Sequence, residues 1–176
     1  MILDQIVSDN LVELEIRKRT FPLEEVRKAA LQQPPPLDLA SALRGDCIQL
    51  IAEVKRASPS RGVIRPNFNP AEIAQIYVDN GASAISILTE AKYFQGSLVH
   101  LKDIRKALES KGLPLLRKDF ICDPYQIYES RAYGADALLL IVAILKTDKL
   151  EELLFLSHQL GMSCLVEVHN EAEVEI

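Results

Sequence analysis

Apolar residues along this chain fall into two alternating patterns, short continuous runs and longer spaced stripes. The runs are Gln49–Val54, Ala84–Leu88, Leu113–Leu116, Ala137–Ile141 and Ser163–Val168. Rich in Ile, Leu and Val, they predict parallel strands covered on both faces. Helix-start signals follow most of them. Asn69-Pro70-Ala71-Glu72 offers an N-cap, a proline at the first helical position and a carboxylate at N3, and Asp123-Pro124-Tyr125-Gln126 repeats that arrangement. Thr147-Asp148 and Asn170-Glu171-Ala172-Glu173 are further caps. Gly81, Gly112, Gly134 and Gly161 close the amphipathic stretches, where a left-handed residue ends a helix. This alternation predicts a parallel α/β fold. A doubly wound open sheet shares the same local grammar, but no Gly-rich phosphate turn follows the first strand, which argues against dinucleotide binding.

The residues before the first strand differ in character. Ile2–Lys18 and Leu23–Gln32 read as charged amphipathic helices, Pro34-Pro35-Pro36 interrupts, and Leu39–Leu43 forms another short helix. The expected organisation is a helical extension over residues 1–47 and a strand–helix domain over 48–176. The extension either caps one end of the strand–helix domain or covers a site.

Composition narrows the function. A net charge of −5 and no basic run argue against a nucleic-acid partner. The longest apolar run, Ala137–Leu145, is too short to span a bilayer, and Met1-Ile2-Leu3-Asp4-Gln5 lacks the features of a signal peptide. Cys47, Cys122 and Cys164 are odd in number and scattered, which predicts a reducing, cytoplasmic location. A metal is not expected, since there are only three histidines and none shows ligand spacing.

Candidate chemistry gathers where strands end, which is where parallel α/β folds bind ligands. Alternation along the first strand places Glu53 and Lys55 on one face and Ala52 and Val54 on the other. A carboxylate and an ammonium there are a satisfied ion pair or half of an acid/base site. The second strand ends in Thr89-Glu90, the third in Arg117-Lys118-Asp119 and the last in Glu167-Val168-His169. Each has a mundane reading: Lys118 could pair with Asp119 or Glu90, Glu167 could cap the next helix, and His169 is read as a rim residue. Their convergence on one rim is what proton transfer on a small anionic substrate needs. Ser58-Pro59-Ser60-Arg61-Gly62 has the composition of a lid, and Phe94 and Phe120 sit just past strand ends, where they pack or grip an aromatic ring.

These segments resemble a known family. Ile51-Ala52-Glu53-Val54-Lys55-Arg56-Ala57-Ser58-Pro59-Ser60 is similar to the first-strand signature of indole-3-glycerol-phosphate synthase. The likeness continues through Ser86-Ile87-Leu88-Thr89-Glu90, Tyr93-Phe94-Gln95-Gly96-Ser97, Leu116-Arg117-Lys118-Asp119-Phe120 and Leu165-Val166-Glu167-Val168-His169. The resemblance implies a (β/α)8 TIM barrel of tryptophan biosynthesis, a carboxy-lyase. Such an enzyme closes the indole ring of 1-(2-carboxyphenylamino)-1-deoxyribulose 5-phosphate with loss of carbon dioxide and water, using no cofactor. By the same resemblance Lys118 is the general acid for ring closure and Lys55 holds the substrate carboxylate, with the acid role in dehydration open between them. Glu167 accepts a proton, Glu53 stabilises a cationic intermediate, Phe94 and Phe120 pack on the aromatic ring, and Ser58 contributes polar contacts.

A barrel of this kind has eight strands and takes about 250 residues, with phosphate commonly bound after the seventh and eighth. Five strand segments are read here. The expectation is therefore a family enzyme represented in part, giving no turnover by these residues alone. The alternative is a non-catalytic chain that associates with a partner through an unclosed barrel edge. A third reading makes Lys118 a Schiff-base nucleophile in an aldolase-like barrel.

Overall fold

A computed structural model describes residues 2–176. The chain opens with α1 (Ile2–Thr20), α2 (Leu23–Leu31) and α3 (Leu39–Ala42). A five-stranded parallel sheet follows, of β1 (Ile51–Val54), β4 (Ala84–Leu88), β5 (Leu115–Lys118), β6 (Ala137–Ile141) and β7 (Ser163–Glu167). A two-stranded antiparallel hairpin, β2 (Ala57–Ser58) and β3 (Gly62–Val63), leaves the end of β1. Helices α4 (Pro70–Asp79), α5 (Leu98–Ala107), α6 (Pro124–Ala132) and α7 (Thr147–Gln159) make the crossovers, and α8 (Glu171–Val174) follows β7.

Strand order resolves the choice of α/β architecture. The strands lie β1-β4-β5-β6-β7, in the order of the chain with no reversal. A doubly wound sheet reverses direction at a switch point, whereas a (β/α) barrel adds each strand beside the last. The sheet is open among the described residues: β1 pairs only with β4, and β7 only with β6.

Two layers of core follow from strand parity. On the outer face Val54, Ile85, Ile87, Leu115, Leu138 and Leu140 pack with Ile73 of α4, Leu101 and Ile104 of α5, Ile127 of α6 and Leu153 of α7. The inner face is different. Ala84, Leu116 and Ala137 are closed over by Leu39 and Leu43, so α3 plugs the end of the sheet where strands begin. At the opposite end α1 lies across the loops that leave β4 and β5, joined to them by Asp9 and Asn10. The extension thus reaches both ends of the sheet. It is held by a cluster of Leu14, Val26 and Tyr125.

Caps appear largely where the sequence signals them. Asn69 accepts a hydrogen bond from the Glu72 N–H, Asp123 forms a capping box with Gln126, and Asn170 caps α8. The cap expected from Thr147-Asp148 moves by one residue: Lys146 is the N-cap, without a side-chain bond, and Thr147 is the first helical residue.

The third strand needs correction. It runs Leu115–Lys118 rather than Leu113–Leu116, because Arg117 and Lys118 continue the ladder, opposite Ile87 and Leu88. Arg117 leaves the rim altogether. Its parity turns it to the helical side, where it is fully buried and meets Asp119 at 2.8 Å and Glu129 at 3.0 Å. Its Nε donates to Thr89 Oγ1 and its Nη1 to Ser130 Oγ. Removing one partner of such a buried pair costs about 3–5 kcal/mol, because a charge is left uncompensated.

Candidate active site

Strand alternation aims Glu53, Lys118 and Glu167 at the inner face, each at or near the end of its strand. Lys55, just beyond β1, keeps the same parity. Glu53 holds both lysines: its Oε1 lies 2.6 Å from Lys55 Nζ and its Oε2 lies 3.5 Å from Lys118 Nζ. All three side chains remain partly open to solvent, so the group is a reachable site rather than a sealed ion pair.

They border a cavity of about 340 Å³ lined by Glu53, Lys55, Leu88, Phe94, Lys118, Asp119, Phe120, Leu139, Ile141 and Glu167. A second hollow along the inner face shares Glu53, Lys118, Leu139 and Glu167 with it and extends toward Ser86 and Leu165. One side is charged and the other apolar. Phe94 and Phe120 form the apolar wall, with ring centroids 6.2 Å apart. The Phe94 N–H donates to Glu90 Oε2, and the Phe94 carbonyl accepts from the Ala57 N–H. The Phe120 carbonyl accepts from Asn10 and from Gln126.

Other strand-end groups serve the framework. Glu90 accepts the N–H groups of Lys92, Tyr93 and Phe94, shaping the turn after β4, and burial raises its pKa. Thr89 donates to Asp119 Oδ2 at 2.6 Å, inside the buried network of Arg117. Burial disfavours a charged Asp119, but the Arg117 guanidinium and Thr89 hydroxyl outweigh it and hold its pKa below the ordinary value. Lys118 therefore pairs with Glu53 rather than with Asp119 or Glu90. His169 stays on the rim, with Nε2 3.2 Å from Glu167 Oε1. Asn170 takes the capping role and leaves Glu167 facing the cavity.

Ser58 lies in the hairpin, where its hydroxyl accepts the Arg61 N–H and approaches Ser60, and it does not line the cavity. Sequence reasoning missed the apolar floor of Leu88, Leu139 and Ile141, although parity with Lys118 and Glu167 marks it. Among the described residues no cluster of three or more His, Cys, Asp or Glu is placed to hold a metal ion, and no helix is long and apolar enough to cross a membrane.

Comparison with known proteins agrees along the whole chain. The family model described as indole-3-glycerol phosphate synthase matches residues 3–176. An indole-3-glycerol phosphate synthase of Dehalococcoides mccartyi strain BAV1 is 60% identical over 177 residues, covering 100% of this chain and 68% of the relative. One from Roseiflexus sp. strain RS-1 is 55% identical, over 98% of this chain and 66% of its own length. One from Mycolicibacterium smegmatis is 49% identical, over 99% and 63%.

Proposed function

The chain belongs to the indole-3-glycerol phosphate synthase family, and from that premise we propose how its cavity carries out the family's reaction. The function is ring closure of 1-(2-carboxyphenylamino)-1-deoxyribulose 5-phosphate, a phosphorylated small molecule, to indole-3-glycerol phosphate in tryptophan biosynthesis. One observation supports the assignment of roles above all: a single carboxylate, Glu53, touches two ammonium groups beside an aromatic wall.

The substrate's aryl ring packs on Phe94 and Phe120, and its carboxylate meets Lys55. The ring carbon bearing that carboxylate attacks the ketone carbon. As the carbon–carbon bond forms, Lys118 donates a proton to the ketone oxygen, which becomes a hydroxyl. The cation left on the ring and nitrogen is stabilised by Glu53 at short range in a partly water-excluded cavity. Breaking the ring–carboxylate bond then releases carbon dioxide and neutralises that cation. Glu167 next accepts a proton, a lysine donates one to the departing hydroxyl, and water leaves to complete the indole. Ser58 joins as a polar contact when the β2–β3 hairpin, already tied to Phe94 through Ala57, folds over the substrate. Residues 1–47 act as a helical extension to the domain of 48–176, and three free cysteines suit a reducing cytoplasm.

The test follows product formation with the sheet completed, in a chimera carrying the β/α units of the Dehalococcoides relative that lie beyond the match. These 176 residues hold no tryptophan, so with any tryptophan of the grafted units replaced by Phe, indole emission reports product. Borohydride added during turnover leaves Lys118 unmodified if it transfers protons. A reduced substrate adduct on Lys118 would instead establish the Schiff-base reading.

A further inference from the structure

We infer that Asp9 and Asn10 of α1 are positioning residues that set the separation of Phe94 and Phe120, the two rings of the cavity's aromatic wall. The inference rests on the reading that the substrate's aryl ring packs on this wall.

The buried stripe of α1 is Ile6, Asn10 and Leu14, one residue per turn, and its middle member is polar. Asn10 is 5% exposed. A primary amide this buried is expensive unless its hydrogens are used. Both are: Nδ2 donates to Asp119 Oδ1 at 3.2 Å and to the Phe120 carbonyl at 3.3 Å. Those acceptors frame the backbone of Phe120, whose own N–H donates to the same Asp119 oxygen at 2.9 Å. Asn10 therefore fixes the Phe120 side of the wall.

Its neighbour in the chain holds the other side. Asp9 Oδ2 accepts from the Tyr93 hydroxyl at 2.5 Å and from Lys92 Nζ at 2.8 Å. Tyr93 adjoins Phe94, and both N–H groups donate to Glu90 Oε2. Two consecutive residues of one helix thus reach the two loops that carry the paired rings. A rigid helical turn is a fixed spacer, so the separation of those loops is set by α1 as well as by the sheet. Neither residue lines the cavity.

The experiment reads ring geometry without turnover. Carbon-13 labelling of Phe rings in the 176-residue chain gives cross-relaxation between Phe94 and Phe120. Asn10→Ala is expected to weaken or remove those cross-peaks, and Asn10→Asp to do so more strongly, because it sets a second carboxylate against Asp119. Asp9→Asn, at a more exposed position, is expected to weaken them with the fold retained. Ile73→Val, a core truncation in α4 remote from α1, should lower the melting temperature and leave the cross-peaks intact. Unchanged cross-peaks in both Asn10→Ala and Asp9→Asn would overturn the inference, whatever happens to melting.

In the closed-barrel chimera Asn10→Ala should raise KM by about tenfold, the scale of one lost hydrogen bond, with a smaller effect on kcat. Loss of turnover in Lys118→Ala with unchanged ring contacts in the α1 variants would sink the positioning role while leaving the catalytic reading intact.

Discussion

Glu53 Oε1 lies 2.6 Å from Lys55 Nζ, with the other oxygen of the same carboxylate turned toward Lys118 at 3.5 Å. A shared anion keeps two like charges on one small surface, because each is nearer to the carboxylate than it would be to bulk counter-ions. Glu53→Gln keeps the shape and removes that charge. In the closed-barrel chimera it should lower kcat by about 100-fold, within the usual range for a lost electrostatic or proton-transfer contribution, and raise KM much less. Steady-state kinetics distinguish this from simple loss of binding, which would move KM alone.

Gly96 occupies a place where a side chain has no room. A Cβ built there would press on the Leu88 carbonyl oxygen and lie 2.7 Å from that of Glu90, and both are backbone atoms that cannot swing aside. Gly96→Ala should therefore cost about 1–3 kcal/mol, as overpacking does, or roughly 2–4 °C in Tm per kcal/mol for a chain of this size. Thermal unfolding measures it.

Acid should loosen α1. Lys92 and the Tyr93 hydroxyl hold the Asp9 carboxyl down to about 2, from an ordinary value of 3.8. Asp119 is buried, which opposes its charge, yet Arg117 and Thr89 keep its pKa below the ordinary value as well. A carboxyl depressed in the folded state contributes stability that is complete above its unfolded pKa and lost as pH falls through the folded one. Stability should therefore decline from about pH 4 toward about pH 2. Asp119→Asn should make that decline shallower, while lowering stability at neutral pH by orphaning Arg117. A pH series of denaturant melts provides the measurement.

The cysteines should separate by reactivity. Cys47 is exposed, whereas burial, with Asp123 and Asp119 nearby, pushes the Cys122 thiol up to about 11. Burial also raises Cys164. At pH 8 roughly one Cys122 in a thousand would be thiolate, the reactive form. Brief treatment of the native protein with iodoacetamide should add one group, at Cys47, and denatured protein should take up all three, as counted by mass spectrometry.

Much of this structure was legible in the chain because local rules carried it. The strand cores, the caps at Asn69 and Asp123 and the inward parity of Glu53 and Glu167 each depend on residues a few positions apart. What was hidden depends on long-range partners. Arg117 looks like a rim charge beside Lys118, and its burial is explained by Thr89, Glu129 and Ser130, which lie far along the chain, together with nearby Asp119. Ser58 sits in a hairpin too short to show alternation, so its place beside the cavity rather than in its lining left no pattern in the sequence. Asn10 left one signal, a polar residue in an otherwise apolar i, i+4 stripe of Ile6 and Leu14. Its partners lie more than a hundred residues away.

Lys118 is proposed to donate the proton that allows ring closure. Lys118→Ala in the closed-barrel chimera tests it, with indole-3-glycerol phosphate formation and binding of the ketone-reduced substrate analogue measured on the same preparation. The expected result is a loss of at least about 1,000-fold in kcat, toward the upper range for a lost acid, with analogue affinity changed by less than about tenfold. Turnover within a few-fold of the unmodified chimera would contradict it.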